Sequence, residues 1–175
     1  LNKLRSCHTA RICQTLLGVL NDESKAVEVQ RRALEATAPL SFPQVEETIR
    51  EAYHSHSRQL KVGAIYAMGK NCNRSWLPVL LRELSSADAG IRCEAAVACG
   101  ELGEEEALSY LMRLISDPDV EVQVVALRAL GKIGGSEAKK CLRQCLNNPR
   151  EVIHRVAEQA LNELEGEENL FNFGI

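Results

Sequence analysis

The sequence predicts an all-α fold of about five helical hairpins, each 31 residues long. Three observations support this prediction. Only 4% of the 175 residues are aromatic, so Ala, Leu, Val and Ile must form the core, which suits closely packed helices. One sequence pattern recurs at a fixed period, and its apolar positions have the spacing of one helix face. In such an array, neighbouring hairpins bury the apolar sides that a single hairpin would leave exposed.

The recurring pattern marks the second helix of each hairpin. Its five copies begin 31 residues apart, at Val29, Leu60, Ile91, Val122 and Ile153. We call this residue position 0, and every copy has Ala at positions +4 and +7. These positions share one face of a helix, and Ala allows a neighbouring helix to approach closely. Three copies also have Gly at position +9, namely Gly69, Gly100 and Gly131, and a Gly near the end of the copy predicts a helix stop and a tight turn. In the third copy, either Gly100 or Gly103 is expected to end the helix.

The other helix of each hairpin aligns without gaps in the last three copies. Leu80, Leu111 and Leu142 share one position in this alignment, and the single Trp, Trp76, is expected to pack between repeats. The loops "SSADAG", "SDPDVE" and "NNPREV" contain the Asp, Asn and Pro residues that cap one helix and start the next. Position +1 carries a basic residue or His in several copies, for example Arg92, and we expect it at the surface.

The two ends of the chain depart from the pattern. The first hairpin's leading helix is expected at about residues 7–21, and "LNKL" before it fits the tail of a preceding hairpin. We therefore assign 1–165 to the repeat array, as a piece of a longer array, and 166–175 to an acidic and aromatic tail. Gly166 is expected to break the helix between them. Two roles for the tail stay open, which are folding back over the last repeat or serving as a linear motif for another protein.

Two stretches carry a family resemblance. "ADAGIRCEAAVACGELG" (87–103) and "DPDVEVQVVALRALGKIGG" (117–135) resemble HEAT repeats of the short type found in phycobilisome-lyase-related proteins. The signatures of tetratricopeptide and ankyrin repeats do not occur. The resemblance extends over about residues 7–165 and implies a right-handed α-α superhelix, a HEAT-like solenoid whose second helices line the concave face. The family includes scaffolds, chromophore-lyase subunits and an iron hydroxylase, so it leaves the function open.

The residues argue against a metal or cofactor site. The hydroxylase, deoxyhypusine hydroxylase, has His-Glu pairs at positions +2 and +3 for its two irons, whereas here only Cys93-Glu94 retains an acid at these positions and none has His. Cys141 and Cys145 can share a helix face, but two ligands do not make a zinc site, and no Cys-x-x-Cys pair exists. We therefore predict no cofactor and no metal.

Catalysis and several kinds of partner are also disfavoured. Glu94 cannot act as a base for Cys93, because adjacent helical residues do not face each other. No Gly-rich phosphate loop is present. The net charge of −3 favours neither nucleic acid nor a membrane surface, and no apolar run approaches the roughly 20 residues that span a membrane. Seven Cys without disulfide-type spacing predict a reducing, cytoplasmic location.

What remains is a binding surface at positions +2, +3 and +6 of the second helices, which vary between copies. The candidate contacts for a protein or peptide partner are Arg31, Arg32, Val62, Tyr66, Cys93, Glu94, Val97, Val124, Val125, Arg128 and Arg155. Its valines would hold apolar groups and its arginines acidic ones. Alternatively, strong curvature buries these positions between neighbouring helices. The predicted function is a non-enzymatic scaffold or adaptor that binds a partner in its concave groove, and the alternative, from the resemblance, is a bilin lyase subunit or another enzyme-accessory protein.

Overall fold

The computed structural model describes the backbone of residues 2–40 and 42–172 and the side chains of residues 8–40 and 42–166. The described residues form helices and turns and no strand, which confirms the all-α prediction. The helices are α1 (Asn2–Leu20), α2 (Val27–Thr37), α3 (Pro43–His54), α4 (Arg58–Asn71), α5 (Leu77–Glu83), α6 (Ala89–Leu102), α7 (Leu108–Leu114), α8 (Val120–Ile133), α9 (Gly135–Cys145) and α10 (Glu151–Asn172). Short 3-10 turns at Arg74–Trp76 and Glu105–Ala107 lead into α5 and α7.

The second helices reproduce the sequence period. They begin 31 residues apart, at Val27, Arg58, Ala89, Val120 and Glu151. Capping side chains precede α4, α6 and α8, as predicted for the loops before α6 and α8, whereas α2 begins without one. The Asp88 carboxylate accepts a hydrogen bond from the backbone N–H of Gly90 at 2.8 Å, and Asp119 accepts one from that of Glu121 at 2.8 Å. Each bond satisfies a donor that the first helical turn would otherwise leave unpaired.

The chain divides into two compact units, Leu1–Asn73 and Arg74–Ile175. In the first unit α1 packs on α2, α3 packs on α4, and α2 and α4 pack against each other. In the second unit the hairpins pair α5 with α6, α7 with α8 and α9 with α10. The second helices of this unit stack in order, with α6 against α8 and α8 against α10.

The repeated small residues lie in the core. The Ala residues at position +4 of α4, α6, α8 and α10 have no exposed surface: Ala64, Ala95, Ala126 and Ala157. Trp76 is buried, as expected for a packing residue. The first copy differs, because Val29 at position 0 is 45% exposed and Ala36 at position +7 is exposed. The prediction that these two residues pack against neighbours is therefore wrong for α2, which has α4 as its second-helix neighbour among the described residues.

Of the two glycines considered for the end of α6, the structure confirms Gly103 rather than Gly100, and the Gly residues at position +9 lie inside their helices. Gly100 lies inside α6, and the helix ends three residues later at Gly103, whose φ is +73°. Gly100 instead admits the next second helix, since a Cβ on it would lie 3.0 Å from the Cα of Ala129. Gly131 does the same one repeat later, where a Cβ would lie 2.9 Å from the Cβ of Ala160. The glycines are thus spacing residues between stacked helices.

Both chain ends differ from the sequence expectation. Residues 2–4 belong to α1 itself rather than to the end of an earlier helix. Gly166 does not break α10, which continues to Asn172, because one Gly costs only about 1 kcal/mol and its neighbours favour helix. The side chains of residues 167–175 lie outside the described part of the chain, as do both roles considered for the tail.

Candidate functional site

The eleven candidate contacts lie on the second helices, and none of them is buried. Three are exposed, namely Arg32, Arg128 and Arg155, and the other eight are half-buried. The candidate residues at positions +2, +3 and +6 therefore keep access to solvent, even where the residue is apolar, whereas Gly63 at position +3 of α4 is buried. Val156, which is next to the candidate Arg155 at position +3 of α10, is 5% exposed and fits the alternative of burial instead.

In the first unit the two candidate arginines are already paired. The Arg31 guanidinium donates to Glu28 at 2.8 Å and forms a short contact with Glu35. Arg32 donates to the same two carboxylates, at 3.0 and 3.2 Å. The aliphatic part of Arg31 lies across α4 at Gly63, where a Cβ would come within 2.7 Å of the Arg31 Cγ. These charges are balanced within α2, which leaves less attraction for an acidic partner.

Tyr66 and Val62 form the α4 part of this face. Both are half-buried, and the Lys70 ammonium lies 5.8 Å from the centroid of the Tyr66 ring. This distance permits a cation–π contact, which holds the ring against its own helix. The first unit therefore presents one aromatic side chain between balanced charges.

In the second unit three of the seven candidate residues line a pocket between α6 and α8. Its volume is about 120 Å³, and its lining residues are Val97, Val125, Arg128, Ala129 and Lys132. Sequence reasoning identified the two valines and Arg128. It missed Ala129 and Lys132, which lie one turn further along the same face of α8 than Val125 and Arg128. That spacing of four residues was a usable signal.

Cys93 is not a nucleophile in this arrangement. Burial, together with the negative charges of Glu121 and Asp119, raises the pKa of the Cys93 thiol to about 11. Reactive cysteines need a lowered pKa, because the thiolate is the attacking species. Cys93 and Glu94 are therefore half-buried surface groups of α6.

The other cysteines and histidines whose side chains are described are spread over the repeats. Cys99 has no exposed surface, and burial raises the pKa of its thiol to about 12. Burial raises the pKa of the Cys141 thiol, and it raises the pKa of the Cys145 thiol to about 11. His54 is exposed and packs edge-on against Tyr53. Among the residues whose side chains are described, no three His, Cys, Asp or Glu residues come close enough to hold a metal ion.

A buried ion pair joins two repeats of the second unit, and sequence reasoning missed it. The Arg92 guanidinium donates to both carboxylate oxygens of Asp117 at 2.8 Å, and the two side chains are 12% and 5% exposed. Arg92 also donates to the backbone oxygen of Ser86 at 2.8 Å. Arg92 at position +1 is therefore half-buried in an ion pair rather than the free surface base that was expected. The sequence did contain a signal for this pair. Asp117 lies in the loop before α8, and that loop lies beside position +1 of α6, where Arg92 is.

This ion pair affects both ionisations. The hydrogen bond from Arg92 lowers the pKa of Asp117, and the bond to Asp117 raises the pKa of Arg92. The backbone oxygen of Asp117 accepts from Gln123, whose own side-chain oxygen accepts from Arg150 at 3.3 Å. This polar chain fixes the spacing of three successive loops and holds the helices that present the pocket.

No helix in the described part of the chain is long and apolar enough to cross a membrane.

Comparison with known proteins identifies repeats and folds that are similar to those of this chain. Residues 77–162 match the model of HEAT repeats. No curated protein shows significant similarity to the chain. Among solved structures, a chain in the complex of CpcE and CpcF of phycocyanin lyase from Nostoc sp. PCC7120 is similar, with a TM-score of 0.70 and 20% identity. That likeness covers 90% of this chain, which spans 66% of the length of the lyase chain.

Two further structures share the fold. Human deoxyhypusine hydroxylase has a TM-score of 0.54 at 17% identity, covering 94% of this chain and 99% of the hydroxylase. A designed armadillo repeat protein has a TM-score of 0.54 at 21% identity, covering 85% of this chain and 80% of the design. At these identities the likeness shows the fold alone. The match to HEAT repeats is confined to residues 77–162, and the structural likeness shows a fold of the HEAT-like and armadillo-like α-solenoid class.

Proposed function

We propose that the chain is a non-enzymatic scaffold or adaptor that binds a partner protein at positions +2, +3 and +6 of its second helices. One observation carries this proposal. Val97 and Val125 are half-buried and line a small pocket, and Val124, next to Val125 on α8, is half-buried too. Apolar side chains that remain partly accessible on a rigid surface are typical of protein contacts.

The chemistry of the described residues fits binding better than catalysis. The thiols of Cys93, Cys99 and Cys145 have raised pKa values, which favours their protonated, unreactive form. Position +2/+3 lacks the His-Glu pairs expected for a di-iron hydroxylase. In the CpcE and CpcF complex, a similar fold occurs in a two-protein assembly, which supports a protein partner for this chain.

Site-specific crosslinking tests the proposal. A photoreactive benzoylphenylalanine replaces Val124 at position +2 of α8, and in a control it replaces Gln144, an exposed residue of the first-helix α9. After irradiation in cells of the source organism, we expect a defined crosslinked protein from position 124 that position 144 does not give. Adding Val125→Asp to the position-124 protein should reduce that product several-fold, because a charge enters the apolar contact.

The same partner from both positions, or no change with Val125→Asp while the helical content stays constant, would contradict a binding site on this face. Circular dichroism of each variant separates a lost contact from a lost fold.

The alternative is a subunit of a bilin lyase. The likeness to a chain in the phycocyanin lyase complex, with a TM-score of 0.70, favours it. Mixing the protein with free bilin and an acceptor protein should then shift the bilin absorbance and give a thioether product. Absence of both rules this function out.

A further inference from the structure

The pocket between α6 and α8 has an apolar and a cationic part. Val97 and Val125 contribute branched apolar side chains, and Arg128 and Lys132 lie one turn apart on α8. Its volume of about 120 Å³ is well below the roughly 300 Å³ at which small-molecule sites begin. It has room for one side chain rather than for a cofactor or a whole helix.

The two cationic side chains determine which charge the pocket attracts. Arg128 is exposed, and no acidic side chain of the described residues pairs with it. The side chain of Lys132 is 54% exposed and its ammonium pairs with Glu101, so the charge of Lys132 is already neutralised whereas that of Arg128 is not. An incoming carboxylate therefore gains an unpaired guanidinium, which can hold both of its oxygens. The paired arginines of α2 offer no such gain.

We propose that this pocket holds one branched aliphatic side chain of an acidic segment in a partner protein, with a neighbouring carboxylate on Arg128. The apolar group displaces water from the two valines, and the carboxylate fixes the orientation of the segment. This inference rests on the proposed function and names the chemistry of its partner.

A set of four capped peptides tests the two requirements separately. The peptide Gly-Asp-Leu-Asp-Gly is compared with Gly-Asn-Leu-Asn-Gly, Gly-Asp-Ala-Asp-Gly and Gly-Asn-Ala-Asn-Gly. Each is titrated into the ¹⁵N-labelled full chain at low salt, and the backbone amide shifts of α6 and α8 are followed. We expect saturable shifts around Val97 and Val125 with a Kd of about 1 mM or below for the first peptide. Removing the carboxylates or the isobutyl group should weaken binding roughly 5–10-fold each.

Two variants locate the contacts. Arg128→Gln should remove the preference for Asp over Asn and leave the preference for Leu over Ala. The matched control, Arg143→Gln, removes a guanidinium of α9 that pairs with Glu165 at 3.0 Å, and it should change neither preference. Raising the salt to about 0.5 M should weaken the acidic peptides more than the Asn peptides.

Three results would overturn the inference. The first is equal binding of all four peptides, and the second is amide shifts located away from α6 and α8. The third is a single-stranded DNA oligonucleotide that binds more tightly than the acidic peptide and loses this binding in Arg128→Gln. If no peptide binds but position 124 still gives a crosslinked partner, the inference about an acidic segment is wrong and the proposed scaffold function stands. Failure of the crosslink as well removes the scaffold proposal.

Discussion

Helices α2 and α8 carry the same repeat pattern in different surroundings. At position 0, Val29 of α2 is 45% exposed whereas Val122 of α8 has no exposed surface. At position +7, Ala36 is exposed whereas Ala129 is 2% exposed. The difference arises because α8 is packed between α6 and α10, while α2 has α4 as its one second-helix neighbour among the described residues. Positions 0 and +7 are therefore buried in α8, which has a second helix on each side, and exposed in α2, which has one.

The largest expected effect comes from placing a charge at position 0 of each helix. Val122→Asp should cost about 4 kcal/mol or more of the free energy of unfolding, because a carboxylate would lie unpaired among the stacked helices. Val29→Asp, at the exposed position, should cost less than about 1 kcal/mol. Urea unfolding followed by circular dichroism measures both. Equal losses would show that α2 is covered in solution as α8 is.

A smaller effect is expected at the ion pair that joins two repeats of the second unit. Asp117→Asn should cost about 3 kcal/mol at neutral pH, because the buried Arg92 guanidinium loses its counter-charge. The control Glu165→Gln removes an exposed partner of Arg143 and should change stability little.

This loss should depend on pH in a defined direction. Since Arg92 lowers the pKa of Asp117 in the folded state below its ordinary value of 3.8, the pair stabilises the fold above that value. The stabilisation disappears as the pH falls through the folded pKa. The difference in unfolding free energy between wild type and Asp117→Asn should therefore be constant from pH 7 to about 5 and shrink below about 4. A difference that stays constant down to pH 3 would contradict the role of the carboxylate charge.

The contrast between helices also shows what the sequence could predict. The period, the helix starts and the buried Ala95 and Ala126 follow from local pattern, because spacing and capping are properties of neighbouring residues. The exposure of Val29, the spacing role of Gly100 and the burial of Arg92 depend on a residue in another repeat. For the pocket, the sequence predicts that Val97 and Val125 lie on the candidate faces of α6 and α8. That these two side chains line one pocket depends on how α6 packs on α8, which the local pattern does not give.

The close packing at the glycines gives an effect of intermediate size. Gly131→Ala places a methyl group 2.9 Å from the Cβ of Ala160 and should cost about 1–2 kcal/mol despite the better helix propensity of Ala. The control Gly18→Ala in α1 meets no atom within 4 Å and should stabilise by about 0.5–1 kcal/mol. Denaturant midpoints at constant slope measure both changes. A stabilising Gly131→Ala would mean that α8 and α10 are further apart than described.

The smallest expected effect concerns the ends of α4 and α6. These helices end at corresponding positions, Cys72 with φ +54° and Gly103 with φ +73°. Only glycine adopts this left-handed conformation without steric cost, so Cys72 is strained where Gly103 is not. Cys72→Gly should relieve the strain but increase the entropy of the unfolded chain, for a net gain of about 0.5 kcal/mol. Gly103→Ala introduces the strain and should cost about 1 kcal/mol.

Thermal and urea unfolding of these two variants compare the caps directly. The Cys72 thiol adds two weak contacts, of 3.4 Å to the backbone oxygen of Gly69 and of 3.8 Å to that of Lys70. Cys72→Ala separates its contribution from that of the backbone, because Ala keeps the strained conformation and lacks the sulfur. If Cys72→Ala is as stable as Cys72→Gly, the left-handed backbone is not the cost at this position, and the two units would end these helices with equal ease despite their different residues.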